Sequence, residues 1–304
     1  MIGPCKRLVS FITLAVGLVI PLSTAAARDQ ATMFYAVAHE DDWQLFMTPN
    51  SWNDVRIQEN KVVFIYTTAG DAGLGVGTVG RPTPYFVARE EGAQRAVRFM
   101  ADAGRVGESA TWEEVVLNGK KIPRYVYKNT VSYFLRLPDG NFNGAGYPST
   151  GNQSLQRLHH GMISTITSVD AKLTFHGWED LVETLVNLTV YEARGSAVVW
   201  VNVPDPRLDL NWLDHSDHRY TGICMLEASK TLPCVHKALF VNYPTAWMPR
   251  NLNTEALIVE AAVWGVTTSG LSDTYHRNTF DSLHKSWLGR NYFRVERGTG
   301  SCSF

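Results

Sequence analysis

Three continuous apolar runs, each about seven residues long, constrain this chain most. They are Thr32 to Ala38, Lys61 to Thr67 and Ala197 to Val203, all rich in β-branched and aromatic residues. A strand with one wet face alternates apolar and polar residues, so an unbroken run reads as a strand buried on both faces. Val131 to Leu137 reads as a fourth strand. Between these runs the period changes. From Arg89 to Ala103, residues Ala93, Ala96, Val97 and Met100 fall on one helical face, and Leu155 to Ile166 and Trp178 to Leu188 also read as helices. Strands alternating with helices predict an α/β, Rossmann-like domain with a mostly parallel central sheet and helices on both faces. Such folds bind ligands beyond the C-terminal ends of their strands.

Residues 1–27 form a segment of another kind. Lys6 and Arg7 precede an apolar stretch from Leu8 to Leu22, and Ala25, Ala26 and Ala27 supply small residues. This is the layout of a secretory signal peptide cleaved after Ala27. The apolar stretch is short for a membrane span, which needs about 20 residues. The expected organisation is a signal peptide over 1–27 and a single domain over 28–304. The protein is then secreted or periplasmic, with no stable membrane span after cleavage. In an oxidising compartment Cys224 and Cys234 are placed to bridge a short loop, which leaves Cys302 unpaired. Charge is nearly balanced, with 28 Lys and Arg against 29 Asp and Glu. No basic run is present to neutralise phosphates, so nucleic acid is not an expected partner.

Two motifs carry the chemistry. Ala38-His39-Glu40-Asp41-Asp42 directly follows the first buried run, which places it at a strand's C-terminal end. His39 and Asp42 are three apart, so a helix starting here would turn both toward one ion. Asp214-His215-Ser216-Asp217-His218 follows the last buried run and offers another imidazole. A catalytic zinc takes three protein ligands and a water, and imidazole with carboxylate suits it. Asp41 could accept a proton from that water. A carboxylate such as Asp217 could fix a histidine tautomer. Taken singly, each motif also reads as a polar turn with capping Asp residues or as a solvated loop. Together they favour a metal.

These residues resemble the PIG-L/LmbE family of zinc de-N-acetylases, marked by Ala-His-x-Asp-Asp after the first strand and a later His-x-Asp-His. Thr68-Ala69-Gly70-Asp71-Ala72-Gly73, Arg89-Glu90-Glu91 and Leu137-Pro138-Asp139-Gly140 look like further family segments. The resemblance spans roughly residues 32 to 235. It implies that His39, Asp42 and His218 hold Zn2+, with Asp41 as general base. It implies that His215, supported by Asp217, stabilises the tetrahedral intermediate or acts as general acid. Arg89 and Asp139 match positions associated with substrate binding. The implied reaction removes the acetyl group from an N-acetylated sugar or glycoconjugate. A shell of two imidazoles and one carboxylate also accepts Fe2+ or Co2+. The chain departs from the family at Glu40, where many members have Pro, and at Trp43, where they carry an acidic residue. A lone Trp there is expected in the core. Two alternatives keep the same fold: a carbohydrate-binding protein without turnover, and an amide hydrolase acting on something other than a sugar.

Gly75-Val76-Gly77-Thr78-Val79-Gly80 has the spacing of a dinucleotide loop but runs into Arg81-Pro82-Thr83-Pro84, which opens a helix poorly. Residues 70–84 and 140–152 therefore read as loops. The tail from about Gly270 shows no clear period.

Overall fold

The computed structural model describes residues 31–304 apart from Val106. The expected signal peptide lies outside the described residues. Strand β1 (Ala31–Val37) leads into helices α1 (Asp42–Phe46) and α2 (Asn50–Arg56), then strand β2 (Lys61–Thr68) and helix α3 (Tyr85–Asp102). Strands β3 (Thr111–Leu117), β4 (Lys120–Tyr127) and β5 (Thr130–Leu137) follow as a meander. The chain continues through α4 (Leu155–His159), the short pair β6 (Ile166–Thr167) and β7 (Thr174–Phe175), α5 (Trp178–Glu192) and β8 (Val198–Pro204). Helix α6 (Ser216–Lys230), β9 (His236–Phe240), α7 (Thr254–Asp273), α8 (Ser282–Lys285) and β10 (Phe293–Glu296) complete it.

Eight strands form one sheet in the order β10-β9-β8-β1-β2-β5-β4-β3. The five from β9 to β5 are parallel, and the antiparallel strands lie at the edges. The continuous apolar runs are explained by this position. Phe34, Ala36, Val63 and Ile65 point to a core shared with α4, α5 and α6. Their neighbours Tyr35, Val37, Val62 and Phe64 point to a second core under α1, α2, α3 and α7. Successive side chains of a strand face opposite sides, so a strand covered on both sides is apolar throughout.

The topology fixes where a ligand can bind. From β1 the chain winds outward through β2 to β5, whereas β8 lies on the other side of β1 and is followed outward by β9. The connections beyond β1 and β8 therefore part in opposite directions and leave a crevice at those strand ends. Both chemical motifs sit there.

Two expectations are corrected. The helix expected over Leu155 to Ile166 ends at His159. Gly161 takes a φ of +66° and the Met162 N–H bonds back to the Arg157 carbonyl, closing the helix as glycine C-caps do. The disulfide joins Cys234 to Cys302, and Cys224 is a buried thiol. Cys224 faces the core from α6, while the tail returns to Cys234. Thr299 N–H bonds to the Pro233 carbonyl and Cys302 N–H to the Ala197 carbonyl, which brings the two sulfurs together. Among the described residues no helix is long and apolar enough to cross a membrane.

Candidate metal centre

Strand β1 delivers His39 into the crevice two residues past its end, and Asp41 stands at the N-terminal boundary of the short helix that carries Asp42, without a side-chain capping bond. The Asp42 carboxylate turns back to accept the His39 backbone N–H at 2.7 Å, which fixes the turn. From the other side, α6 begins at the second motif. His215 is its N-cap, and its Nδ1 accepts the Asp217 N–H at 3.2 Å. His218, one turn into the helix, then points at His39.

Three donor atoms converge. His39 Nδ1 lies 3.2 Å from His218 Nε2, His218 Nε2 lies 3.0 Å from Asp42 Oδ1, and His39 Nδ1 lies 3.5 Å from the same oxygen. Ligands about 2.0–2.2 Å from a tetrahedral ion are separated from each other by roughly 3.3–3.6 Å. The triangle has nearly those edges, so the donor set suits a divalent ion of zinc's kind. All three residues are buried. A second group of potential ligands, His39, Asp139, His215 and Asp217, adjoins the first. It is looser: Asp217 Oδ2 is 3.5 Å from His39 Nε2, and His215 Nε2 is 3.8 Å from Asp139 Oδ1.

Each imidazole of the triangle has a carboxylate behind it. Asp214 Oδ1 is 2.8 Å from His218 Nδ1, so that nitrogen carries the proton and Nε2 keeps its lone pair for the metal. Asp217 faces His39 Nε2 and is anchored by the Gly140 N–H at 2.8 Å. A Cβ on Gly140 would meet Asp217 Oδ1 at 2.4 Å, so only glycine lets the loop after β5 approach so closely.

The electrostatics favour positive charge at the triangle. Burial alone would lower the His218 pKa, but the Asp42 and Asp214 carboxylates outweigh it and push it up to about 10. Burial would raise Asp42, but His218 and His39 hold it well below the usual carboxylate range. A cation of either kind, proton or metal ion, is stabilised there, and metal binding would displace protons. His215 behaves oppositely. Burial, then the charge on His39, depresses its pKa to about 4. It is therefore neutral near pH 7. Since Nδ1 accepts from the helix, the ring hydrogen sits on Nε2 and faces the crevice.

Asp41, the expected base, is not among the converging donors; Arg89 Nη2 hydrogen-bonds its Oδ1. Arg89 also lies 3.3 Å from Glu40 Oε2 and donates to the Gly70 carbonyl at 2.9 Å. The guanidinium is thus engaged by the chain's own groups beside the expected base. Asp139 lies close to His215, with its Oδ1 accepting the Asn141 N–H and its Oδ2 the Ala72 N–H. Asp71 ties the same loops together by accepting from Asp139 N–H and Gly75 N–H. The glycine-rich loop is therefore pinned at its base. Trp43 is fully buried with Nε1 donating to Tyr66 Oη at 2.8 Å, as a core residue.

The sequence matches no model of a known family and no curated protein. Among solved structures it is similar to an N,N'-diacetylchitobiose deacetylase from Pyrococcus horikoshii. The two are 14% identical with a TM-score of 0.47, over 89% of this chain and 84% of the other. A likeness that distant says nothing of what this chain acts on.

Some contributors escaped the sequence reading. Asp214 stood in the quoted motif, and its i, i+4 spacing to His218 was the signal for its role. Asn242 Nδ2, 3.1 Å from His218 Nδ1, and the Tyr243 ring, 5.0 Å from the His218 ring, both follow β9. No spacing to the motifs marks them.

Proposed function

We propose that this chain is a divalent-metal-dependent amide hydrolase that removes the N-acyl group of an amino sugar, exported with loss of residues 1–27. The observation that carries the hydrolase is the triangle of His39 Nδ1, Asp42 Oδ1 and His218 Nε2, with edges of 3.0 to 3.5 Å, at the switch point of the sheet. The sugar rests on the motif resemblance. Export rests on residues 1–27 and is supported by a Cys234–Cys302 bridge, which suits an oxidising compartment.

When bound, a divalent ion of zinc's kind supplies Lewis-acid polarisation of the amide carbonyl and of the attacking water. The chain's own groups do the rest. Arg89 occupies Asp41 Oδ1 and holds the carboxylate in one orientation, which leaves Oδ2 to take the water's proton. His215 donates its Nε2–H to the carbonyl oxygen as that oxygen becomes negative. Being neutral, His215 acts as a hydrogen-bond donor and not as a cationic acid. The proton taken by Asp41 then passes to the departing amine nitrogen. Water supplies OH to the carboxylate product and H to the amine, so atoms and charge balance.

The test is carboxylate release from a panel of N-acetylated amino sugars by zinc-loaded protein. Asp41→Ala is expected to lower the rate by about 10²- to 10⁴-fold with the metal still bound. Undiminished turnover in that variant would remove Asp41 from the base role. Sugar binding without carboxylate release would favour the carbohydrate-binding alternative. Release confined to acyl amines other than sugars would overturn the sugar.

A further inference from the structure

On the α8 side of the triangle lies a cavity of about 460 Å³. It adjoins the metal centre, because two of its walls are rings that pack against the histidines. Phe142 stands edge-on to His215 at 6.1 Å between centroids, and Tyr243 edge-on to His218 at 5.0 Å. The remaining wall is mostly apolar, with Leu213, Ala246, Trp247, Leu283 and Trp287 beside Ser286 and His284. Phe142 is 47% exposed, Leu213 58%, Leu283 61% and Trp247 66%. Single exposed apolar side chains are ordinary, but four around one cavity beside a reactive centre are not. No Asp, Glu, Lys or Arg lines the cavity. Of its two ionisable side chains, Tyr243 and His284, the latter is held by Asp281 at 2.7 Å.

Two details show that the wall is shaped. Trp212 stacks on Trp247 at 5.4 Å and stiffens it. Leu213 presents its side chain to the cavity from a φ of +58°, a conformation a leucine rarely adopts.

We infer that this cavity receives an apolar substituent of the amide substrate, an alkyl or aryl group carried next to the scissile bond. The inference rests on the hydrolase reading and deepens it. A bare hydrophilic sugar ring would turn hydroxyls toward Leu213, Leu283 and Phe142, which offer them no partners. An apolar group instead exchanges water for Leu213, Leu283 and the indole of Trp247. The shared chemistry has two possible sources: a long N-acyl chain, or an apolar aglycone on an N-acetylated sugar.

Two substrate series separate them on zinc-loaded protein: N-acetyl, N-butanoyl and N-octanoyl glucosamine, and methyl, butyl and octyl N-acetylglucosaminides. The expected result is kcat/KM rising about threefold or more per buried methylene along one series. A rise along the first assigns the acyl chain, and along the second the aglycone. Leu283→Asp and Trp247→Ala, both at exposed positions, are expected to abolish that gain. A binding measurement separates this inference from the hydrolase reading. Indole fluorescence of the metal-free protein should report tighter binding of octyl than of methyl N-acetylglucosaminide, or of N-octanoyl than of N-acetyl glucosamine. Absence of all hydrolysis with chain-length-dependent binding would sink the hydrolase reading and keep the apolar site. Flat rates and flat binding along both series would overturn the inference. So would a dimer in sedimentation that Leu283→Asp splits, because a second copy would then cover the groove.

Discussion

At the scale of single residues, the centre depends on side chains that never touch a substrate. Asp214 orients His218 through a bond of 2.8 Å, and without it the ring could present the wrong nitrogen. Asp214→Asn is therefore expected to lower zinc affinity about 10- to 100-fold in competition with a chelator, with the fold retained. Unchanged affinity would show that His218 needs no such partner. The candidate ligands were legible in the sequence, because a metal demands donors of fixed type at fixed spacing, and His39, Asp42 and His218, which the fold brings together, stand in two compact motifs. Arg89 was legible as a residue of the site but not in its placement. Its pairing with Asp41 depends on how α3 packs over the β1 turn, which no local spacing encodes. The Glu40 departure belongs to the same cluster: the buried carboxyl faces Arg89 and its pKa rises to about 8, mainly through burial.

At the scale of elements, the β1, β2 and β8 runs showed plainly because burial on both faces leaves a nearly unbroken apolar string, whereas Ser132 and Arg136 interrupt β5. Helix α7 did not, because apolar residues surround it. It covers α3 and the second core, so one polar face never emerges. The β3–β4 hairpin was readable and went unread. Asn118 and Gly119 take φ of +48° and +71°, and Asn-Gly between strands is a strong hairpin signal. The contact of α3 with α7 is tight. A Cβ on Gly92 would meet the Thr267 carbonyl oxygen at 2.3 Å. Glycine to alanine inside a helix ordinarily gains up to about 1 kcal/mol. Here backbone blocks the methyl, so the sign reverses. Gly92→Ala is expected to destabilise by about 1–3 kcal/mol in urea unfolding. A stabilised variant would mean that the helices part easily.

At the scale of the whole molecule, the late elements close onto the early ones. The Cys234–Cys302 bridge closes 68 residues, a span for which the chain-entropy model gives about 4 kcal/mol of stabilisation. The sequence favoured a short local bridge because proximity along the chain was the only guide. Glu260 of α7 accepts the Gly289 N–H, and burial raises its pKa to about 8 despite that bond. Below about pH 4.5 it is protonated folded and unfolded, so it costs nothing. Between there and pH 8 only the unfolded chain releases the proton, so stability falls as pH rises. Glu260→Gln should therefore gain on the parent chain across that window and hold its advantage above it, read as unfolding free energy against pH. A gap that does not change with pH would contradict the assignment. The central claim, one ion on His39, Asp42 and His218 driving amide hydrolysis, is tested most directly by titrating metal-stripped protein with zinc while following carboxylate release. The account predicts activity rising to a sharp break at one equivalent, and none in His218→Ala. Activity without metal, a break at two equivalents, or full activity in His218→Ala would contradict it.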